Sequence, residues 1–242
     1  MKNLKITSIG IKEIFKQLEK QLQGTYTNNL REHVLNVDND LCFGTVRGMK
    51  LKGGISFLEF DVTFSENVNL QIESPLQSVV NFAYCAEGSI AHAFGSSSKK
   101  QLLESFQTGI LSNINTNTNN LYFKKDEQVT TTLITVNCLA EDAKNPLHVK
   151  LYETFINEKD EDYIFIGSYN LKIADKVNQL KGIKEDGVVR TLLIEGLVHI
   201  ILALEIEQHK KDASEIKEQT GSLSSKEMNS IKELSQYIVN YP

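Results

Sequence analysis

The histidines are the residues whose possible chemistry depends most on spacing. His92 stands in a run of small and apolar residues, Ala91-His92-Ala93-Phe94. A metal site on β-strands needs two or three histidines and a carboxylate that converge, and His92 has no second histidine two residues away. The remaining histidines fall outside the central strand-like segments: His33, His148, His199 and His209. We therefore predict no metal site and no cofactor.

Other catalytic signatures are missing from the chain. The sequence contains no GxSxG, GxxxxGK[ST] or GxGxxG motif. The acidic run 160–162 is typical of a solvated loop, and Glu59 and Asp61 alternate out of step with the apolar residues around them, so we expect both to face solvent. Three widely spaced cysteines lie in apolar runs and indicate buried thiols in a reducing compartment: Cys42, Cys85 and Cys138. We predict no catalytic residues and a protein that is not an enzyme.

A binding cavity is a separate possibility, because small antiparallel barrels can enclose a ligand. Four residues on strand-like segments could line such a cavity: Phe60, Phe82, Tyr84 and His92. The alternative is that these side chains are simply packed core.

The elements that would position these residues follow from periodicity. Ile11, Phe15, Leu18 and Leu22 form a helical stripe near the start of the chain. From about residue 34 to 138 the period changes to two, most clearly where apolar residues alternate with polar ones over 58–64. Many short strands with Gly- and Asn-rich turns predict an antiparallel barrel or sandwich. The run 99–108 fits either a strand or a helical turn.

After residue 140 the period returns to about 3.6. Helices are predicted after Pro146 and over 171–180, and the longest over 189–209 is apolar on most of its circumference. A helix with so wide an apolar surface favours a second covering partner, although it could also be an interior helix of a helical layer. The residues predicted to form a homodimer interface are Leu193, Leu197, Ile200, Ile201 and Leu204.

The C-terminal segment has two distinct parts. Residues 210–223 are charged, poor in apolar anchors and typical of a linker. Ser224-Ser225-Lys226-Glu227 then forms a capping box, followed by apolar residues at helical spacing. Because a lone amphipathic helix is marginal in water, we expect residues 224–242 to be the first helix of a domain whose remainder is missing.

Composition limits the partners. The net charge of −5 argues against a nucleic-acid surface within this stretch. The N-terminus lacks the continuous apolar region of a secretory signal. The most apolar window, 192–206, is interrupted by Glu195, His199 and Glu205 and is too short to span a bilayer. We predict a soluble, cytoplasmic protein without membrane contact.

The order of these parts resembles that of the AraC/XylS-type transcription regulators, particularly the variety of Bacteroidetes-like bacteria. The resemblance covers most of the chain and rests on four segments in order: GTVRG at 44–48 with GGISFLEFDVTF at 53–64, NFAYCAEGS at 81–89, GVVRTLLIEGL at 187–197, and ELSQYIVNYP at 233–242. No single segment is diagnostic.

The resemblance implies an α+β fold: an antiparallel cupin-like β-barrel with an N-terminal helix and a C-terminal helical dimerisation layer. The expected parts are an N-terminal helical segment (1–30), an effector-binding barrel (31–142), a dimerisation region (143–209), a linker (210–223) and the first helix of a truncated DNA-binding domain (224–242). The parent regulator would bind DNA through its missing C-terminal helix-turn-helix domain, so no residue of this chain is assigned to DNA contacts. The effector, if one exists, is an unknown small molecule.

Other functions remain open at this point. The chain could be a free-standing cupin-like small-molecule-binding protein or a metal-dependent cupin enzyme. It could also be a pure interaction module with a solid barrel.

Overall fold

The computed structural model describes residues 1–7, 10–74, 78–96, 99–138, 145–157, 159–218 and 230. The strands in chain order are β1 (Lys2–Ile6), β2 (Thr25–Asn29), β3 (Glu32–Asp38), β4 (Cys42–Lys50), β5 (Ile55–Phe64), β6 (Val68–Glu73), β7 (Val79–Glu87), β8 (Ser89–Phe94), β9 (Gln101–Glu104), β10 (Gln107–Ser112), β11 (Thr118–Phe123), β12 (Gln128–Asn137) and β13 (Tyr163–Tyr169). The helices are α1 (Ile11–Leu22), α2 (Pro146–Tyr152) with a π-helical turn at Glu153–Asn157, α3 (Leu171–Lys181) and α4 (Gly187–Glu218).

The strands form two sheets. The five-stranded sheet has the order β1-β6-β11-β8-β9, and the eight-stranded sheet has the order β13-β10-β7-β12-β5-β4-β3-β2. All pairings are antiparallel except that of β1 with β6. Two mostly antiparallel sheets with helices confirm the predicted α+β class, whereas closure into a barrel is not shown.

Two hydrophobic cores share the eight-stranded sheet. The first lies between the sheets, where β5 residues such as Phe60 and Val62 meet Val68 and Leu70 of β6, and α1 adds Phe15. The second lies on the other face of the eight-stranded sheet and joins Phe82 and Ile134 to the helices α2, α3 and α4. Both faces of the central strands are therefore buried.

Local sequence explains where the helices begin. The side chain of Asn145 accepts a hydrogen bond from the Leu147 amide at 3.0 Å, and Pro146 occupies the first turn of α2. Asn170 caps α3 in the same way through the amides of Lys172 and Ile173. These two caps set the positions at which α2 and α3 begin.

Several predicted boundaries differ from the structure. The N-terminal segment 1–30 is not only helical, since β1 and β2 flank α1. Residues 101–104 form a strand, which resolves the ambiguous run 99–108. The predicted linker 210–223 is helical as far as Glu218, because α4 continues without a break. Apart from Ser230, residues 219–242 lie outside the described residues, and so does the predicted capped helix.

Candidate functional site

A cavity of about 250 Å³ lies between the two sheets. One wall is a row of polar side chains on neighbouring strands of the eight-stranded sheet, which we call the polar row: Lys50, Ser56, Thr135 and Asn81. Strand register makes the row continuous, since Lys50 pairs with Ser56, Ser56 with Thr135, and Thr135 with Asn81. Directly opposed residues of this kind have side chains in contact distance on one face of a sheet.

An apolar row lies next to the polar row on the same face. Its members are Gly48, Leu58, Leu133 and Ala83, again paired in register across four strands. Leu58 and Leu133 line the cavity, and Ile72 and Leu121 face them from the five-stranded sheet. The cavity is therefore aliphatic on one side and hydrogen-bonding on the other.

Helix α1 covers one end of the cavity through Ile11 and Ile14. Gly48 permits this close approach, because a Cβ atom there would lie 2.7 Å from Phe15 and 2.9 Å from Ile11. A glycine in the GTVRG segment thus allows the helix to approach the floor of the cavity.

His92 reaches the cavity from the five-stranded sheet and is 5% exposed. Its Nε2 lies 2.8 Å from Oδ1 of Asn119, and Nδ2 of Asn119 donates to Oδ1 of Asn113 at 2.8 Å. Nδ1 of His92 has no hydrogen-bond partner among the described residues. Burial lowers the pKa of His92 to about 4, although the Asn119 hydrogen bond opposes the shift, so the imidazole is neutral at pH 7.

Two of the four candidate ligand-binding residues line a cavity in the structure. His92 lines the cavity between the sheets, and Phe60 lines a smaller adjoining one of about 30 Å³. Phe82 and Tyr84 point to the opposite face of β7 and pack in the helical core, so they do not line the cavity. The Tyr84 hydroxyl donates to the backbone oxygen of Asn170 at 2.7 Å, and this bond holds the start of α3 against the sheet.

The sequence reasoning missed the polar wall itself. The sequence pattern does not single out Asn81, Asn113 or Asn119 as ligand-binding residues. The available signal was an asparagine inside a segment otherwise typical of a buried strand, because asparagine is depleted from strands.

Glu59 was predicted to face solvent, and this prediction is wrong. Its side chain is 1% exposed, and its nearest cation is Arg47, with Nη1 at 3.8 Å. Burial raises the pKa of Glu59, and Arg47 and Lys181 partly offset that shift. Asp61 is half-buried and pairs with Lys181 at 2.9 Å. Glu59 and Asp61 lie on the face of β5 that the alternation of polar and apolar residues predicts to be exposed, and the helices cover that face.

The predicted dimer residues divide into two groups. Leu193 and Ile200 are 41% and 46% exposed. Ile201 is fully buried in the helical core, and Leu197 and Leu204 are partly buried against it. Ile201 therefore cannot belong to an interface unless the core opens. The exposed apolar side of α4 consists of Val189, Leu192, Leu193 and Ile200, and we call it the α4 outer face.

By length and composition, helix α4 is also long and apolar enough over Gly187–Ser214 to cross a membrane. Its inner face packs in the helical core. Its first turns are tied to the β2–β3 hairpin, because Arg190 forms a bidentate pair with Glu32 at 2.6 and 2.8 Å and Glu195 bonds Arg31 at 2.8 Å. These contacts are those of a helix that belongs to the core of a folded domain.

Within the described residues, no group of three or more His, Cys, Asp or Glu side chains is arranged to hold a metal ion. The three cysteines are in the thiol form and buried. Burial raises the pKa of Cys42 to about 12 and that of Cys138 to about 11, so these thiols stay protonated at neutral pH. The arrangement as a whole is that of a two-sheet α+β domain with an internal, mixed polar and apolar cavity.

No protein-family model matches the chain, and no curated protein matches it. Among solved structures, the AraC-like transcriptional activator CuxR aligns with 80% of this chain and 64% of its own, at 14% identity and a TM-score of 0.40. ToxT from Vibrio cholerae O395 aligns with 62% of this chain and 55% of its own, at 12% identity and a TM-score of 0.36. The protein Ylba from E. coli aligns with 49% of this chain and 51% of its own, at 13% identity and a TM-score of 0.31.

This chain spans less than two thirds of the length of each of these three proteins. One of them, CuxR, is an AraC-like transcriptional activator by name. Similarities this distant assign neither a ligand nor a partner to this chain.

Proposed function

We propose that this chain is the effector-sensing and dimerisation portion of an AraC-type transcription regulator. The cavity between the sheets carries the proposal. Protein interiors are close-packed and contain few voids larger than a water molecule, so a space of about 250 Å³ with a polar wall is more than packing requires. The cavity would hold a small effector, and the protein would act by binding it rather than by catalysis.

The α4 outer face would bind a second copy of the chain. Four large apolar side chains there are exposed on one side of a helix whose other side is buried, and such a face favours a protein partner. The effector would regulate by favouring one arrangement of the pair over another, which requires different affinities for the two arrangements.

DNA recognition would belong to a helix-turn-helix domain of the parent protein and not to the described residues. With a net charge of −5, this chain by itself should not bind DNA with useful affinity. The buried thiols fit the reducing cytoplasm in which such a regulator would work. Sequencing the reading frame beyond the codon for Pro242 tests this part: we expect helix-turn-helix patterning, and a stop codon there would contradict it.

A thermal-shift screen tests the cavity. Sugars, fatty acids and aromatic acids are added to the purified chain, and we expect at least one class to raise Tm, because a ligand that binds only the folded state stabilises it. Leu133→Phe fills the space beside the apolar row and should abolish that shift. Leu102→Phe on β9, at an exposed leucine outside the cavity, is the matched control. If Leu133→Phe leaves every ligand-induced rise in Tm unchanged, the cavity is not the binding site.

The same cavity also supports a second candidate, a free-standing small-molecule-binding protein. The two functions differ in the role of α4, because a carrier has no need of a dimer whose arrangement responds to ligand. Sedimentation with and without a compound found in the screen separates them.

A further inference from the structure

The uncommitted hydrogen-bonding groups of the polar row can all donate. Oδ1 of Asn81 already accepts from the Thr135 hydroxyl at 2.8 Å, which leaves the Asn81 amide nitrogen without a partner among the described residues. Lys50 Nζ and the Ser56 hydroxyl, also in the polar row, form no hydrogen bond or ion pair with the described residues. On the opposite wall, the amide oxygens of Asn113 and Asn119 are both occupied within the His92 network. At the polar row a ligand therefore has to supply acceptors, whereas on the opposite wall Nδ1 of His92 is an acceptor without a partner among the described residues.

The charge of the lining has one sign. No Asp or Glu side chain belongs to the described lining, and Lys50 is its one lysine or arginine. The buried His92 adds no charge at pH 7. The chain as a whole has a net charge of −5, whereas the described lining is positively charged. This local positive charge favours a ligand with an anionic group at the polar row.

The remaining walls are aliphatic. Leu58, Leu111, Leu121 and Leu133 line the cavity, and the His92 imidazole is the one aromatic ring in its described lining. Flat aromatic ligands gain much of their affinity from ring stacking, which this lining does not offer. A volume of about 250 Å³ corresponds to about eight water volumes, so the ligand is small.

We propose that the cavity binds a small aliphatic monocarboxylate. The carboxylate accepts hydrogen bonds from Lys50, Ser56 and Asn81, and the hydrocarbon chain lies against the leucines of the two sheets. This inference rests on the proposed function, because it assumes that the cavity is a ligand site, and it adds the chemical class of the ligand.

Hexanoate and its neutral isostere hexanamide are suitable probes, because they differ in charge and hardly in shape. Binding is measured by isothermal titration calorimetry at neutral pH, together with the side-chain amide NMR signal of Asn81. We expect hexanoate to bind about tenfold more tightly than hexanamide, as a charge-assisted hydrogen bond is stronger than a neutral one. The Asn81 signal should shift with hexanoate.

Lys50→Met removes the cation and should bring hexanoate affinity down to that of hexanamide. Lys50 is exposed, so the substitution should leave the fold intact. Lys52→Met is the matched control, since Lys52 is also exposed but does not line the cavity. Leu133→Phe should abolish the binding of both probes.

Three results would overturn the inference: no hexanoate binding at millimolar concentration, equal affinities of hexanoate and hexanamide, or hexanoate binding that survives Lys50→Met unchanged. Hexanamide binding as tight as that of hexanoate, with Leu133→Phe abolishing both, would leave the cavity as a ligand site while refuting the anionic class. The proposed function is refuted by a different result: no compound in the thermal-shift screen raises Tm in a way that Leu133→Phe abolishes.

Discussion

Glu205 is a buried acidic residue whose carboxylate has no hydrogen-bond partner among the described residues. It lies on the inner face of α4 and is 0% exposed. Burial raises the pKa of Glu205 well above its ordinary value, because removal from water disfavours the charged form. The folded state therefore holds a proton that the unfolded state releases. Stability from this group is fully present below the unfolded pKa and is lost as pH rises through the folded pKa.

We predict that Glu205→Met stabilises the protein by about 1–3 kcal/mol near pH 8, since an apolar side chain of similar length removes an unpartnered buried polar group. The advantage should shrink as the pH falls below the ordinary pKa of a glutamate, where wild-type Glu205 is neutral in both states. Urea unfolding at several pH values measures both effects. Glu207→Met, at an exposed position of α4, is the control and should not reproduce the gain. A Glu205→Met protein less stable than wild type at pH 8 would contradict the argument.

The side of the sheet on which a single residue lies could be predicted where polar and apolar residues alternate along its strand. Phe60 and His92 were assigned to the interior, as observed, because alternation along their strands separates the inner face from the other. Glu59, Phe82 and Tyr84 were misplaced for one common reason: helices cover the outer face of the same strands, so a polar or aromatic residue there is buried as well. Alternation distinguishes two faces, but it does not say what covers each of them.

At the level of elements, Asp162 holds two segments together. Its Oδ1 accepts hydrogen bonds from the amides of Ile114, Asn115 and Thr116 at 2.7, 2.8 and 3.2 Å, just before β13 begins. Asn113, at the start of that turn, belongs to the His92 network of the cavity. Burial acts against the charge, but the hydrogen bonds from these amides hold the pKa of Asp162 below its ordinary value. The acidic run 160–162 therefore does more than solvate a loop.

We predict that Asp162→Asn lowers stability by about 1–2 kcal/mol at neutral pH, because an amide oxygen is a weaker acceptor than a carboxylate. The contribution of Asp162 is present above its unfolded pKa and is lost as pH falls through the lowered folded pKa, so the variant and the wild type should converge in acid. Thermal unfolding from neutral to acidic pH measures this. Asp160→Asn is the control, because only the backbone oxygen of Asp160 accepts a bond from the turn. Equal stability of Asp162→Asn and wild type at neutral pH would refute the role.

The helices were predictable and some strands were not. Apolar stripes at helical spacing located α1, α3 and α4, and Pro146 located the start of α2. Strand β13 was missed because it lies between helices and reads as a run of consecutive apolar residues, 163–166, without alternation. Strand β1 is short and pairs in parallel with β6, sixty-odd residues later in the sequence, a contact that no local pattern encodes.

At the scale of the molecule, the eight-stranded sheet joins the cavity to the helical layer. Along β12, Thr135 faces the cavity and Ile134 and Val136 face the helices; along β7, Asn81 and Phe82 divide in the same way. A ligand that shifts the polar row therefore moves a sheet on which α4 packs. Because packed interiors transmit small displacements, the sheet is a physical route from ligand to α4 outer face.

The α4 outer face makes a specific prediction about assembly. Two copies of α4 that cross antiparallel at Gly196 place Leu192 opposite the partner's Ile200, and Val189 opposite the partner's Ala203, as a two-fold interface requires. A Cβ atom at Gly196 would meet nothing within 4 Å in the single chain, so the crossing point is open to a close approach. The apolar side chains would be symmetrically distributed about that point.

We predict that the chain sediments as a dimer at micromolar concentration and that the double substitution Leu192→Glu with Ile200→Glu gives a monomer, because each copy then brings two charges into the apolar contact. Both positions are exposed in the single chain, so the variant should fold, which circular dichroism and Tm confirm independently. Leu102→Glu, at an exposed leucine on β9, is the control and should remain dimeric. A wild-type monomer at high concentration would refute the interface, and a dimer that survives the double substitution would place it on another face.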